Sequence, residues 1–153
     1  MNRSLKQVFL TREARREAAL AKLSAARSQC DLAYARCHQV YAELEQARQW
    51  RADVLARCAL GEGQSIRESV LPACEALLQQ RQQMFALRQT ELRMATDLVA
   101  TERRELMACE RDLLRLQEWQ TLEQNRACKE QAMQENRFEE DQVFLGSVRD
   151  RAA

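Results

Sequence analysis

Six cysteines and one histidine are the residues of this chain most able to do chemistry. Cys30 and Cys37 stand two helical turns apart, and His38 follows directly. A zinc site would draw on such residues, but its ligands usually lie a few positions apart so that a short loop can wrap the ion. No Cys-x-x-Cys pair occurs. Cys30, Cys37, Cys58 and Cys74 instead fall where a helical seam wants a small hydrophobe, and they are read as core residues. Cys58 and Cys74 come near each other across the centre of the chain, and a bridge between them would be an oxidation product rather than a functional bond. Paired carboxylates such as Glu43 with Glu45 and Glu139 with Glu140 could act as acid and base only in a pocket that shifts a pKa. On an exposed helix they are solvated charge. His38 is a flank residue on the same reading. No nucleophile with a neighbouring base and no glycine-rich phosphate loop is present. The chain is therefore expected to be no enzyme, with no catalytic residue, cofactor or metal.

The elements that carry these residues are long helices. Ala, Glu, Arg, Leu and Gln dominate, charged residues make up 31% and aromatic residues only 5%. That is the composition of a coiled coil, whose burial runs as a stripe rather than into a globular core. Leu23, Cys30, Cys37, Leu44, Arg51 and Cys58 recur at seven-residue spacing, and Ala19, Ala26, Ala33, Val40, Ala47 and Val54 fill the alternate position. Leu20, Tyr34, Tyr41 and Leu55 widen that stripe. A second arm repeats the pattern with Leu71, Leu78, Phe85, Leu92, Val99, Leu106 and Leu113, accompanied by Cys74, Arg81, Arg88, Ala95, Glu102, Cys109 and Leu116. Such spacing sustained over many heptads means helices packed side by side.

One break separates the arms. Of three glycines and one proline, Gly61, Gly63 and Pro72 lie together. Gly61 suits the end of a helix. Ser65-Ile66-Arg67-Glu68 has the capping-box pattern, whereas Ser69 as cap would put Pro72 in a first turn, where proline is accepted. A short helical turn over 65–70 ahead of the main arm reconciles the two. The expected fold is all-α, a long antiparallel two-helix coiled-coil hairpin forming a single domain over 1–153. Its first helix spans about 4–60, its hinge about 61–70 and its second helix about 70–146, with a frayed C-terminus. Arms of some 55 and 70 residues would reach about 80–100 Å. A turn centred near Gln64 pairs Cys58 with Leu71, Arg51 with Leu78, Leu44 with Phe85, Cys37 with Leu92, Cys30 with Val99 and Leu23 with Leu106.

The charge balance points to protein partners. Basic and acidic residues number 24 and 23 and interleave along the chain. Nucleic-acid binding gains no support from that balance. No stretch is long and apolar enough for a membrane span, and the start lacks an apolar signal region. A cytoplasmic chain with reduced cysteines is expected. Trp50 and Trp119 are unusual in so aromatic-poor a coiled coil. Each is either a partner-binding anchor or a cap on a widened end of the stripe. Arg51 at a seam position either snorkels to water or marks where the seam opens to a third element.

Two segments of the second arm, Leu116-Gln117-Glu118-Trp119-Gln120-Thr121-Leu122-Glu123 and Ala132-Met133-Gln134-Glu135-Asn136-Arg137-Phe138-Glu139-Glu140-Asp141, resemble the C-terminal part of FliJ. FliJ is the coiled-coil stalk of the flagellar export apparatus. Gln46-Ala47-Arg48-Gln49-Trp50-Arg51 is similar to YscO, its counterpart in virulence-type type III secretion. The resemblance to the YscO/FliJ family extends over the whole chain in architecture and over these three segments in motif. It implies a non-enzymatic stalk that links a hexameric export ATPase to the cytosolic domain of the export gate protein and handles export chaperones. Leu5 to Leu23 and Leu106 to Phe144 would then face the ATPase pore. Trp50, Arg51 and the hinge Gly61–Pro72 would form the distal end. The expected partner-binding residues are Trp119, Gln120, Leu122, Arg137, Phe138, Trp50, Arg51 and Tyr41. The protein would be a monomer in isolation, cytoplasmic and peripheral to the inner-membrane export apparatus, with no nucleic-acid partner and no membrane insertion. The competing expectation is a generic coiled-coil adaptor or chaperone unrelated to secretion.

Overall fold

The computed structural model describes residues 3–61 and 64–152. Two α-helices account for nearly all of them: α1 over Arg3–Ala59 and α2 over Gln64–Ala152. The described residues contain no strand. The fold is an all-α hairpin in which two long helices pack against each other. Its contacts fall into two compact units, one of residues 16–107 and one of 1–15 with 108–153.

In the 16–107 unit the heptad stripe is the core. Ala19, Leu23, Ala26, Cys37, Leu44, Ala47, Val54 and Cys74 are buried, and the remaining seam positions of both helices are half-buried. Alanine at alternate positions lets the helices approach closely, so burial comes from many small contacts. Among the described residues Leu44 and Cys74 are the most fully enclosed, at 2% and 0% exposed. The seam also holds two buried polar atoms without a partner, Arg88 Nε and Glu102 Oε2. Polar groups at seam positions cost stability but penalise slipped registers.

The register differs from the expected one. Tyr41 lies against Phe85, which the expected alignment pairs with Leu44, and Cys30, expected beside Val99, meets Thr96 at 3.8 Å. In both cases the residue on α2 lies three positions earlier than the heptad alignment puts it. Arg51 with Glu75 shows the same shift, and Lys22 with Glu105 and Glu43 with Arg81 are displaced in the same direction by two and five positions.

The cause is an earlier start to α2. The hinge was expected to run to about residue 70, with a cap at Ser65 or Ser69. Instead α2 begins at Gln64 and continues through Pro72 without a break. Ser69 is not a cap: its hydroxyl donates to the Ser65 carbonyl at 2.6 Å, a back-bond made inside a helix. Pro72 lies in the third turn. It cannot donate to the Glu68 carbonyl, and an interior proline costs about 3 kcal/mol. Continuing the helix half-buries Ile66, Val70 and Leu71. Half the burial value of three branched aliphatic chains is also roughly 3 kcal/mol, enough to offset the proline.

The expected glycine signal at the end of α1 is present. Gly61 has φ +84°, and its N–H donates to the Cys58 carbonyl at 3.4 Å. Leu60 N–H donates to the Ala56 carbonyl at 3.1 Å. The left-handed residue satisfies a terminal carbonyl as helix-ending glycines do. The rest of the expected break, Glu62 and Gly63, lies outside the described residues. At the other end, α2 runs past the expected limit near 146 to Ala152.

In the second unit the first turns of α1 lie along α2. The Arg12 guanidinium donates to the Asp112 carbonyl at 3.1 Å. Leu113 is buried, while Leu5, Phe9, Cys109 and Leu116 are half-buried. Counting back along α1 from Arg12, opposite Asp112, brings Arg3 level with about Thr121. Every described side chain from Thr121 to Arg149 is exposed. The sequence itself stops asking for a partner helix here. Continuing the spacing of Leu113 and Leu116 gives Gln120, Glu123, Ala127, Glu130, Gln134, Arg137 and Asp141, and meets large apolar residues again only at Phe144 and Val148.

Candidate partner-binding surfaces

The eight expected partner-binding residues do not form one site. Trp119, Gln120, Leu122, Arg137 and Phe138 belong to the unit of both chain ends, and Trp50, Arg51 and Tyr41 to the 16–107 unit.

On α2, Trp119 is 49% exposed and Leu122 and Phe138 are more exposed still. Gln120 is half-buried. Trp119 and Arg137 are separated by about 27 Å of continuous helix, so one small contact cannot use both. Met133, Phe138, Val143, Phe144, Leu145 and Val148 form the largest run of exposed apolar side chains in this unit. Glu135, Glu139, Glu140 and Asp141 accompany them. The sequence reading picked out Phe138 within this run, but Val143 to Val148 went unremarked. Their signal is four large apolar residues within six positions, of which Phe144 and Val148 fall back on the heptad of Leu116 and Leu113. An isolated helix gains little stability without packing, and here only local pairs support it, such as Arg126 with Glu123 at 3.2 Å.

In the 16–107 unit Trp50 and Tyr41 line separate grooves. Trp50 shares its groove with Glu43, Gln46, Ala47, Leu77 and Arg81. The floor is apolar, and an Arg81–Glu43 ion pair at 2.5 Å crosses the edge. The second groove is more apolar, lined by Tyr34, Cys37, His38, Tyr41, Phe85 and Leu92. Tyr41 and Phe85 pack with centroids 5.5 Å apart, and Tyr34 lies 6.4 Å from the His38 ring. Tyr41 is 45% exposed and Tyr34 62%. Both aromatic faces are offered to solvent on a rigid two-helix base.

Arg51 reaches out from its seam position. Its guanidinium reaches Glu75 at 3.7 Å with the side chain 42% exposed. It leaves the seam for water and a surface partner, as the snorkelling reading expects. Cys74 is an ionisable group held away from its ordinary behaviour. Burial pushes its thiol above 9.0, with Glu75 adding to the rise and Arg51 opposing it.

The cysteines are all free thiols, with Cys128 exposed. Cys30 donates its weak S–H to Thr96, because the Thr96 hydroxyl proton already goes to the Leu92 carbonyl at 2.8 Å. Among the described residues no three His, Cys, Asp or Glu side chains gather as a metal site. No described helix is long and apolar enough to cross a membrane. The arrangement presents two grooves beside the seam and a long uncovered helix end. No family model matches the chain, and no curated protein or solved structure matches it either.

Proposed function

We propose that this chain is a non-enzymatic stalk of a type III secretion export apparatus. It couples the hexameric export ATPase to the cytosolic domain of the export gate and assists export chaperones. The reading rests on the resemblance of the Trp119 and Arg137-Phe138 segments to FliJ and of the Trp50 segment to YscO. The observation that supports it best is the uncovered end of α2. From Thr121 to Arg149 the helix presents every described side chain to solvent. A helix that buries nothing of its own is suited to insertion into a ring-shaped partner. Its interleaved charges provide many weak polar contacts and no single strong grip, so it can shift within a pore. Trp119, Leu122, Arg137 and Phe138 are the residues assigned to the ATPase, and Trp50 and Tyr41 to contacts elsewhere in the apparatus. The protein works at the cytoplasmic side of the inner membrane.

The test is ATP hydrolysis by the purified hexameric export ATPase with and without the full chain. Stimulation is expected, and Phe138→Ala should weaken it without changing the melting curve. An intact chain that neither binds nor stimulates the ATPase removes this assignment. The competing reading, a generic adaptor or chaperone, is favoured by the exposed apolar run Met133 to Val148. Suppression of aggregation of an unrelated unfolded protein, without any effect on the ATPase, would select it.

A further inference from the structure

Four of the large apolar side chains that α1 exposes in the 16–107 unit fall in one row, with Leu32 and Trp50 exposed outside it. Leu20, Tyr34, Tyr41 and Leu55 occupy one heptad position beside the seam. They are 51%, 62%, 45% and 39% exposed. Arg27 and Arg48 fill the two other places in the row. In order the six residues are Leu, Arg, Tyr, Tyr, Arg, Leu. The row reads the same from either end, with its midpoint between Cys37 and His38.

The hairpin itself engages this row at Tyr41, against Phe85, and leaves Leu20, Tyr34 and Leu55 largely exposed. The symmetry has a use only if the row meets itself. A closed two-fold interface requires the same patch on both subunits, with residue i on j and j on i. An antiparallel second copy about the midpoint provides that. Leu20 lies against the partner's Leu55 and Tyr34 against the partner's Tyr41, each contact made twice. Arg27 then faces the partner's Arg48. That like-charge contact is relieved by Glu45, which already holds Arg48 within its own chain at 2.5 Å. The partner's Glu45 comes within one helical turn of Arg27.

We propose that the chain forms a two-fold antiparallel dimer through this row of α1. The proposal is independent of the secretion reading. A row of 36 residues is about 54 Å long, but it carries only four large apolar side chains per copy. That places the interface toward the small end of stable contacts, so the dimer dissociates on dilution and the dilute chain is a monomer.

Sedimentation equilibrium of the full chain over a range of concentrations tests it. The apparent mass should rise from one chain toward two as concentration increases. Tyr34→Glu should hold the mass at one chain. Tyr34 is mostly exposed, so helix content by circular dichroism should be unchanged. Glu45→Lys should weaken association at least several-fold, and adding Arg27→Glu in the same chain should recover it. A single-chain mass up to about 1 mM, where any surviving affinity would be only about 4 kcal/mol, overturns the proposal. So does a dimer that survives Tyr34→Glu but is lost with Phe144→Glu, which would assign association to the end of α2. A double variant that fails to recover association overturns the antiparallel alignment.

Discussion

Tyr41 lies across Phe85 with ring centroids 5.5 Å apart and planes inclined by 49°. This one pair reports the register of the 16–107 unit, because the simple heptad alignment would set Leu44 there instead. Tilted aromatic pairs contribute about 0.5–1.5 kcal/mol beyond their area burial. A double-mutant cycle with Tyr41→Leu and Phe85→Leu should return a coupling energy in that range, read from urea unfolding by circular dichroism. The same cycle with Leu44→Ala and Phe85→Leu should show less coupling than the Tyr41 cycle. Equal coupling in the two would restore the unshifted alignment.

Leu44 and Trp119 separate what holds the hairpin from what it shows to others. Leu44 is 2% exposed at the seam, whereas Trp119 is 49% exposed. Leu44→Ala should cost about 2–5 kcal/mol, and Leu44→Asp should melt the hairpin, because a carboxylate there has no partner. Trp119→Ala should leave the melting midpoint nearly unchanged, as surface substitutions usually stay within about 0.5 kcal/mol. If Trp119→Ala unfolds the chain instead, Trp119 belongs to the core.

The stripe was legible in the sequence because heptad periodicity is a property of position alone. Every seam residue from Ala19 to Cys58 is at least half-buried in the structure. The register was not legible, because it depends on where the second helix starts. That start turned on a competition between Pro72 and the burial of Ile66, Val70 and Leu71, and local rules see only the proline. Ser65 and Ser69 carried genuine cap chemistry that the longer helix overrode. The two grooves were half legible. Trp50 and Tyr41 stood out by type, but their separation into different surfaces follows from which flank of the seam each occupies. Much of the uncovered end of α2 was written in the mostly polar residues that hold the heptad positions between Leu116 and Phe144, a signal that a search for apolar residues passes over.

Cys74 gives a pH dependence with a definite sign. Burial raises its folded pKa above the ordinary 9.0. The unfolded chain therefore loses the thiol proton first as pH rises. The stabilising contribution is complete below about pH 9 and is lost as pH climbs through the folded value. Stability measured from pH 8 to pH 11 should fall more for the natural chain than for Cys74→Ala, compared as changes from each protein's own value at pH 8. The same burial should make Cys74 the slowest thiol toward a thiol-specific reagent and exposed Cys128 among the fastest. Equal rates at the two would show that the seam near the hinge opens readily.

Pro72 is the residue whose removal should most improve the hairpin. It lies in the third turn of α2 and leaves the exposed Glu68 without its helical N–H partner. Pro72→Ala restores that donor and removes the ring from the turn before it. The folded state should gain up to about 3 kcal/mol. The unfolded chain becomes freer as well, which returns about 0.4–1 kcal/mol of that gain. A net rise of about 2 kcal/mol is expected in urea unfolding, with the unfolding slope unchanged. Because α2 is already continuous through this position, the register should not move, and the Tyr41–Phe85 coupling should survive the substitution. A Pro72→Ala chain no more stable than the natural one would mean that the helix does not run unbroken through residues 64–74. In that case the three-residue shift in pairing would need another cause.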